Sequence, residues 1–271
     1  MNRDVWLAMP AHLQPVADFQ AQVLTALASI PTVCAVIPNW KNYVREYENG
    51  IPLLGSSGEA IDLRPAERPL ALFLEQLEAL RLPEPLARER RELGKQMRCE
   101  AGASHRALEW LLGNDDFEPA HPGLLRYLGW TVLSKYLAPL VDAFGEWRDE
   151  DRWLRSYCPT CGSAPSMSQL VAVDSGRRRL LSCGCCRTRW QFSRMGCPFC
   201  GTENRHRLTA LAIEGERNLR IDYCESCRAF LKTYIGQGQE SFFLADWTSL
   251  DLDLVALDRG LQRRAPSLYE L

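Results

Sequence analysis

The chain has 271 residues, 46% of them hydrophobic and 24% charged, and a formal net charge of −2. These are the values of an ordinary soluble protein long enough for two domains. No run approaches the roughly 18 apolar residues a membrane span needs, and Met1-Asn2-Arg3-Asp4-Val5-Trp6 lacks the basic stretch and apolar core of a secretory signal, so a cytoplasmic protein is expected.

In chain order, the first 150 residues read as helix. Val16, Phe19, Val23, Leu27 and Ile30 recur at helical spacing after Pro15, and Leu70, Phe73, Leu74, Leu77 and Leu80 do so after Pro69. A charged and apolar segment from Leu86 to Leu112 is interrupted by Gly94 and Gly102, which predicts one kinked helix or two. Leu125, Leu128, Val132, Leu133, Tyr136 and Leu140 define a further helix that Pro139 can bend. Short extended patterns follow at 168–173, 180–182, 189–195, 207–213, 218–223 and 230–234, as antiparallel hairpins, and Leu250, Leu254, Leu257 and Leu261 mark a last amphipathic helix over 249–264. The expected fold class is α+β: an α-helical domain over 1–150, two tandem rubredoxin-like or zinc-ribbon modules over 151–195 and 196–240, and a C-terminal helix and tail over 241–271.

The cysteines carry the chemistry. Eight of eleven fall into four Cys-x-x-Cys pairs: Cys158/Cys161, Cys183/Cys186, Cys197/Cys200 and Cys224/Cys227. Two such knuckles complete a tetrahedral four-thiolate site, so four predict two metal ions. The pattern also repeats internally. Cys158-Pro-Thr-Cys-Gly162 and Cys197-Pro-Phe-Cys-Gly201 are each followed, after 21 or 23 intervening residues, by a second pair that runs directly into Arg187 or Arg228. Glycine after a knuckle can take positive φ, which lets backbone N–H groups point at the thiolates. Spacing favours Cys183 and Cys186 as ligands, although Cys185 can compete with either neighbour; on that spacing Cys185 is a spare thiol. In a reducing compartment, clustered pairs point to metal rather than disulfides, and iron and zinc both suit four thiolates. Modules this small lack apolar area, so metal binding should supply much of their folding free energy.

Little else resembles a catalytic site. His12, His105, His121 and His206 are scattered, Asp115-Asp116 reads as a turn or cap, and Glu214-Gly215-Glu216 reads as a hairpin tip. A nucleic-acid-binding ribbon protein is the main rival reading, because residues 151–240 carry 14 basic and 8 acidic side chains, while 1–150 carry 15 and 21. Eight thiolates and two divalent ions would reduce the local excess of +6 to about +2. A solvated hairpin face accounts for Arg177, Arg178 and Arg179 after the Asp174-Ser175-Gly176 turn. A thiol-redox enzyme is the second rival, but it needs a free Cys-x-x-Cys pair.

Cys158-Pro-Thr-Cys-Gly-Ser-Ala-Pro165, the Cys183 to Trp190 segment running into Cys197-Pro-Phe-Cys200, and Tyr223 to Tyr234 resemble the formate dehydrogenase accessory protein family, FdhE. Gly50-Ile-Pro-Leu-Leu54 extends the resemblance more loosely. The resemblance implies a non-enzymatic cytoplasmic assembly factor, or chaperone, for the catalytic subunit of a formate dehydrogenase. It also implies two rubredoxin-type sites holding iron, with zinc as the alternative, ligated by Cys158, Cys161, Cys183, Cys186, Cys197, Cys200, Cys224 and Cys227. Cys185 departs from the family pattern. No membrane span and no nucleic acid are expected, and a homodimer is left open.

Overall fold

The computed structural model describes residues 13–80, 82, 84–174, 176–213, 218–237, 245–265 and 267–269. His12, Ser175 and Glu214-Gly215-Glu216 lie outside them. The architecture is α+β, with helices preceding a mixed sheet. The chain groups into two compact units, Met1–Asn39 with Ala60–Glu146, and Trp40–Glu59 with Trp147–Glu270.

In the first unit, α1 (Gln14–Ser29) carries Pro15 in its first turn and buries Ala17, Gln20, Val23 and Ala26. Helix α3 (Arg64–Gln76) begins a turn ahead of the sequence expectation and carries Pro69 inside, buried with Leu70, Phe73 and Leu74. The 86–112 segment resolves into two helices, α4 (Glu84–Cys99) and α5 (Ala103–Leu111). Gly102 breaks it by taking φ 69°, a left-handed conformation that Cβ-bearing residues disfavour.

Helix α6 (Pro122–Trp147) is buried on every side from Tyr127 to Ser134, as a helix apolar all round must be, and exposes Ala138, Pro139 and Asp142 further on while Leu140 and Phe144 stay buried. Its polar side chains are satisfied locally: Thr131 donates to the Tyr127 carbonyl at 2.7 Å and Ser134 to the Thr131 carbonyl at 3.1 Å. Lys135 Nζ donates to the Leu27 and Ile30 carbonyls at 2.9 and 3.1 Å, placing a cation on the carbonyl end of α1.

The second unit opens with α2 (Trp40–Asn49). Its strands are β1 (Pro165–Val173), β2 (Gly176–Cys183), β3 (Arg189–Phe192), β4 (Leu208–Ala212), β5 (Leu219–Cys224), β6 (Ala229–Ile235) and β7 (Gln262–Arg263). They lie in the order β3-β2-β1-β6-β5-β4, with β7 beside β6. The pairs within each ribbon are antiparallel. β1 and β6 join in parallel, Met167 opposite Lys232 and Leu170 opposite Ile235, so the two ribbons share one sheet.

Helix α7 (Leu250–Asp258) covers part of that sheet, its Leu252 and Ala256 packing with Met167, Ile221, Phe230 and Tyr234. Each leucine so buried contributes about 1.5–3 kcal/mol. Beneath it lies an ionic network. Lys232, 1% exposed, binds Asp246 at 2.7 Å and Asp253 at 2.6 Å, and Arg263 binds the same two carboxylates at 2.7 and 2.6 Å. Lys232 also donates to the Asp246 and Ser249 carbonyls. Burial works against the Asp246 charge, but the Lys232 and Arg263 cations prevail and hold its carboxyl well below the usual range.

Candidate metal centres

Each cysteine pair sits on a knuckle with the same backbone. In the first, Cys158 N–H donates to the Ser163 carbonyl at 2.9 Å and Gly162 N–H to the Cys158 carbonyl at 2.9 Å; in the third, Cys197 N–H meets the Thr202 carbonyl at 2.9 Å and Gly201 N–H the Cys197 carbonyl at 3.0 Å. Gly162 and Gly201 take φ 77° and 73°. The second and fourth knuckles make the same left-handed turn at Arg187 (φ 65°) and Arg228 (φ 60°), the arginines that follow those pairs.

The knuckles converge in two quartets. Cys158, Cys161, Cys183 and Cys186 form one, and Cys197, Cys200, Cys224 and Cys227 the other, with all sulfurs of a quartet within 4.8 Å of one another. The Cys158–Cys186 and Cys161–Cys183 sulfurs are 3.4 Å apart, and the Cys197–Cys227 and Cys200–Cys224 sulfurs 3.8 Å. Tetrahedral coordination at about 2.3 Å per bond sets sulfurs about 3.8 Å apart, so the donor set fits one ion in each. These separations are far too long for disulfides, and all eight cysteines are free.

Electrostatics within the quartets agree with the fit. Sulfur contacts from Cys158, Cys183 and Cys186 pull Cys161 well below the usual thiol range, while contacts from Cys158 and Cys161 push Cys183 well above it. Burial pushes Cys197 up to about 12, although N–H groups of Phe199 and Cys200 oppose it. Thiols packed this closely cannot all ionise on their own, whereas a thiophilic cation compensates four thiolates at once.

The surroundings of the quartets differ. In the first, the Thr188 hydroxyl lies 3.2 Å from Cys186 sulfur and 2.7 Å from the Thr160 hydroxyl, and the Ser163 hydroxyl lies 3.4 Å from Cys161 sulfur. The corresponding positions of the second hold Phe199 and Ala229 in place of Thr160 and Thr188. Cys158, Cys183 and Cys186 are buried and Cys161 is half-buried; in the second quartet Cys200 is exposed and Cys227 half-buried. Cys185 is buried, 3.7 Å from the Ser163 hydroxyl, and stands outside the quartet.

The segment Gly50–Leu54 docks on the first knuckle. Leu53 N–H donates to the Pro159 carbonyl at 2.9 Å and Leu54 N–H to the Thr160 carbonyl at 2.8 Å. The hydroxyls of Tyr157 and Tyr43 hold the Gly50 and Ile51 carbonyls at 2.8 and 2.6 Å. Behind it, Tyr47 stacks on the fully buried Trp153 with ring centroids 5.2 Å apart. The motif's sequence signal was there, but not its target.

The remaining polar candidates are paired elsewhere. His105 and His121 face Glu67 and Glu92, and Arg106 holds both Asp115 and Asp116 at 3.1 Å. His206 lies exposed in a short turn. Of the arginine run, Arg177 and Arg178 are exposed as expected, but Arg179 is 7% exposed, because β2 is flanked there by both Leu170 of β1 and Phe192 of β3, whereas Arg177, on the same face, lies beyond the end of β3.

Residues 157–194, which hold the first quartet, match the FdhE central domain. The family this chain resembles is FdhE. An FdhE homologue of Aquifex aeolicus is 30% identical over 133 residues, 47% of each chain. One from Stutzerimonas stutzeri is 29% identical over 186 residues, 64% of this chain and 57% of the relative. One from Pseudomonas aeruginosa is 35% identical over 124 residues, 42% of this chain and 39% of the relative. The matched sequence thus spans about half the length of these FdhE relatives. The crystal structure of the FdhE protein from Pseudomonas aeruginosa shares the fold, with a TM-score of 0.62 at 22% identity over 98% of this chain and 91% of that one.

Proposed function

We propose that this chain is a non-enzymatic accessory protein of the cytoplasm that binds the catalytic subunit of a formate dehydrogenase during maturation. The observation that carries the reading is the pair of four-cysteine quartets inside a fold shared with FdhE. In this reading Cys158, Cys161, Cys183 and Cys186 hold one ion, and Cys197, Cys200, Cys224 and Cys227 the other. Iron is the first assignment and zinc the alternative. Bound metal staples the ribbons over 151–195 and 196–240 into rigid modules, and an iron site could relay one electron to the client. No described helix is long and apolar enough to cross a membrane.

The nucleic-acid reading loses ground because several of the arginines that suggested it have partners inside the protein. Arg179 donates to the Gly196 carbonyl, Arg228 to the Arg259 carbonyl, and Arg220 and Arg207 pair with Asp222 and Glu225. The test is affinity capture of the tagged protein from anaerobically grown cells, with nuclease treatment and metal analysis of the same eluate. Recovery of a formate dehydrogenase catalytic subunit with about two ions per chain, the number four knuckles predict, is expected. Nuclease-sensitive partners, or none, would sink the proposal.

A further inference from the structure

Beside the second quartet, a cleft of about 180 Å³ opens on the sheet where β1, β2, β5 and β6 meet the Cys197 knuckle. Leu170, Leu231 and Ala229 contribute apolar surface, as do Phe199 and Leu208. Arg179 is the unusual member. Its side chain is almost wholly buried, its Nη1 donates to the Gly196 carbonyl at 2.9 Å, its Cζ lies 6.0 Å from the Phe192 ring centroid, and its Nε has no hydrogen-bond partner among the described residues. A buried guanidinium donor without an acceptor is costly, and a guanidinium edge matches a carboxylate.

The neighbouring carboxylate does not fill that role. Asp222 is engaged by Arg220 at 2.7 Å and by the Thr233 hydroxyl at 2.8 Å. Arg179, Arg194 and Arg220 against Asp222 leave an excess of positive charge in the cleft. We propose that the cleft is a carboxylate-binding pocket, with Arg179 as its recognition group, that takes a carboxylate carried on a short apolar body.

Size and charge narrow the ligand. Pockets for drug-sized ligands begin at about 300 Å³, so this one holds a short acid or the end of a peptide rather than a cofactor. On the metal reading proposed above, four thiolates around a divalent ion add two negative charges at the Cys197 and Cys224 end and cancel that excess, so recognition rests on the Arg179 donor rather than on net charge, and a phosphate dianion is disfavoured. The carboxylate can come from a small free acid or from a peptide C-terminus.

The experiment is an NMR titration of the full metal-loaded chain carrying ¹⁵N-arginine, following the Arg179 Nε–H resonance, which is identified by its loss in Arg179→Lys. Butyrate should shift it saturably and bind at least about tenfold more tightly than neutral butyramide, a factor that equals about 1.4 kcal/mol. Acetyl-alanyl-leucine and its C-terminal amide separate the sources: tighter binding of the acid than of butyrate assigns a peptide terminus, and the reverse assigns a free acid. Leu208→Trp, which fills the cleft while keeping Arg179, should abolish the shift. Equal binding of butyrate and butyramide, tighter binding of inorganic phosphate, or no shift with any carboxylate would overturn the proposal. None of these outcomes depends on the formate dehydrogenase assignment.

Discussion

The two quartets are built from one knuckle design and supported in two different ways. The first is enclosed: Gly50–Leu54 caps its leading knuckle, a threonine pair packs beside it, and three of its four cysteines are buried. In the second, Cys200 is exposed, phenylalanine and alanine replace the threonines, and a cleft opens alongside. Its strand β6 is anchored instead by Lys232 to the C-terminal segment. Identical ligand chemistry in unequal surroundings predicts slower metal exchange at the first quartet than at the second, because solvent access and hydrogen bonds to sulfur govern lability.

The sharpest way to break this contrast is to remove one ligand from each site. Cys183→Ser should cost one metal equivalent and unfold the β1–β2 hairpin, since structural zinc sites of this type contribute on the order of 10 kcal/mol. Hydrogen exchange with metal analysis reads both effects. Cys200→Ser should cost one equivalent with β1–β2 still protected. If Cys183→Ser keeps two equivalents, the neighbouring Cys185 has taken over, and the enclosed site is less strictly specified than its burial suggests.

The next test removes the second site's support. Lys232→Met leaves Asp246 and Asp253 buried with Arg263 alone, and breaking one partner of such a network costs about 3–5 kcal/mol. The loss should appear in denaturant midpoints and as earlier exposure of β5–β6 than of β1–β2. Equal exposure of both ribbons would mean that the shared sheet, through the parallel β1–β6 pairing, folds as a single unit. A milder effect is expected with a chelator. Metal should leave in two phases, the second quartet at least about tenfold faster, equivalent to about 1.4 kcal/mol in barrier height. Cys200→Ser should abolish the fast phase, and a single phase in the unaltered protein would erase the distinction.

These contrasts were unevenly legible in the sequence. Cys-x-x-Cys spacing is short-range information, so the composition of each quartet could be read directly, and so could most strands and helices, whose periodicity is local. Helix α2 escaped notice because Tyr43 and Tyr47 are its buried residues within an otherwise polar stretch. The parallel β1–β6 pairing and the docking of Gly50–Leu54 on the first knuckle depend on partners more than 60 residues away, which no local pattern specifies. Arg179 shows the same limit, since three consecutive arginines look alike until the fold flanks only the third with strands on both sides, at Leu170 and Phe192.

The smallest expected difference lies at the two knuckle glycines. Gly162 and Gly201 both take positive φ, so alanine at either costs about 1 kcal/mol for its backbone alone. The chain already accepts that conformation at Arg187 and Arg228, and Arg187→Gly should accordingly stabilise the first ribbon by a similar amount. A Cβ at Gly201 would meet nothing within 4 Å among the described residues, whereas one at Gly162 would stand 3.2 Å from Pro52 Cγ. Gly162→Ala should therefore be the more destabilising by about 1 kcal/mol, a typical overpacking cost, in matched denaturant melts. Equal losses would mean that Pro52 yields freely and that the Gly50–Leu54 segment does not clamp the first knuckle. The enclosure of that quartet would then rest on its own hydroxyls and burial.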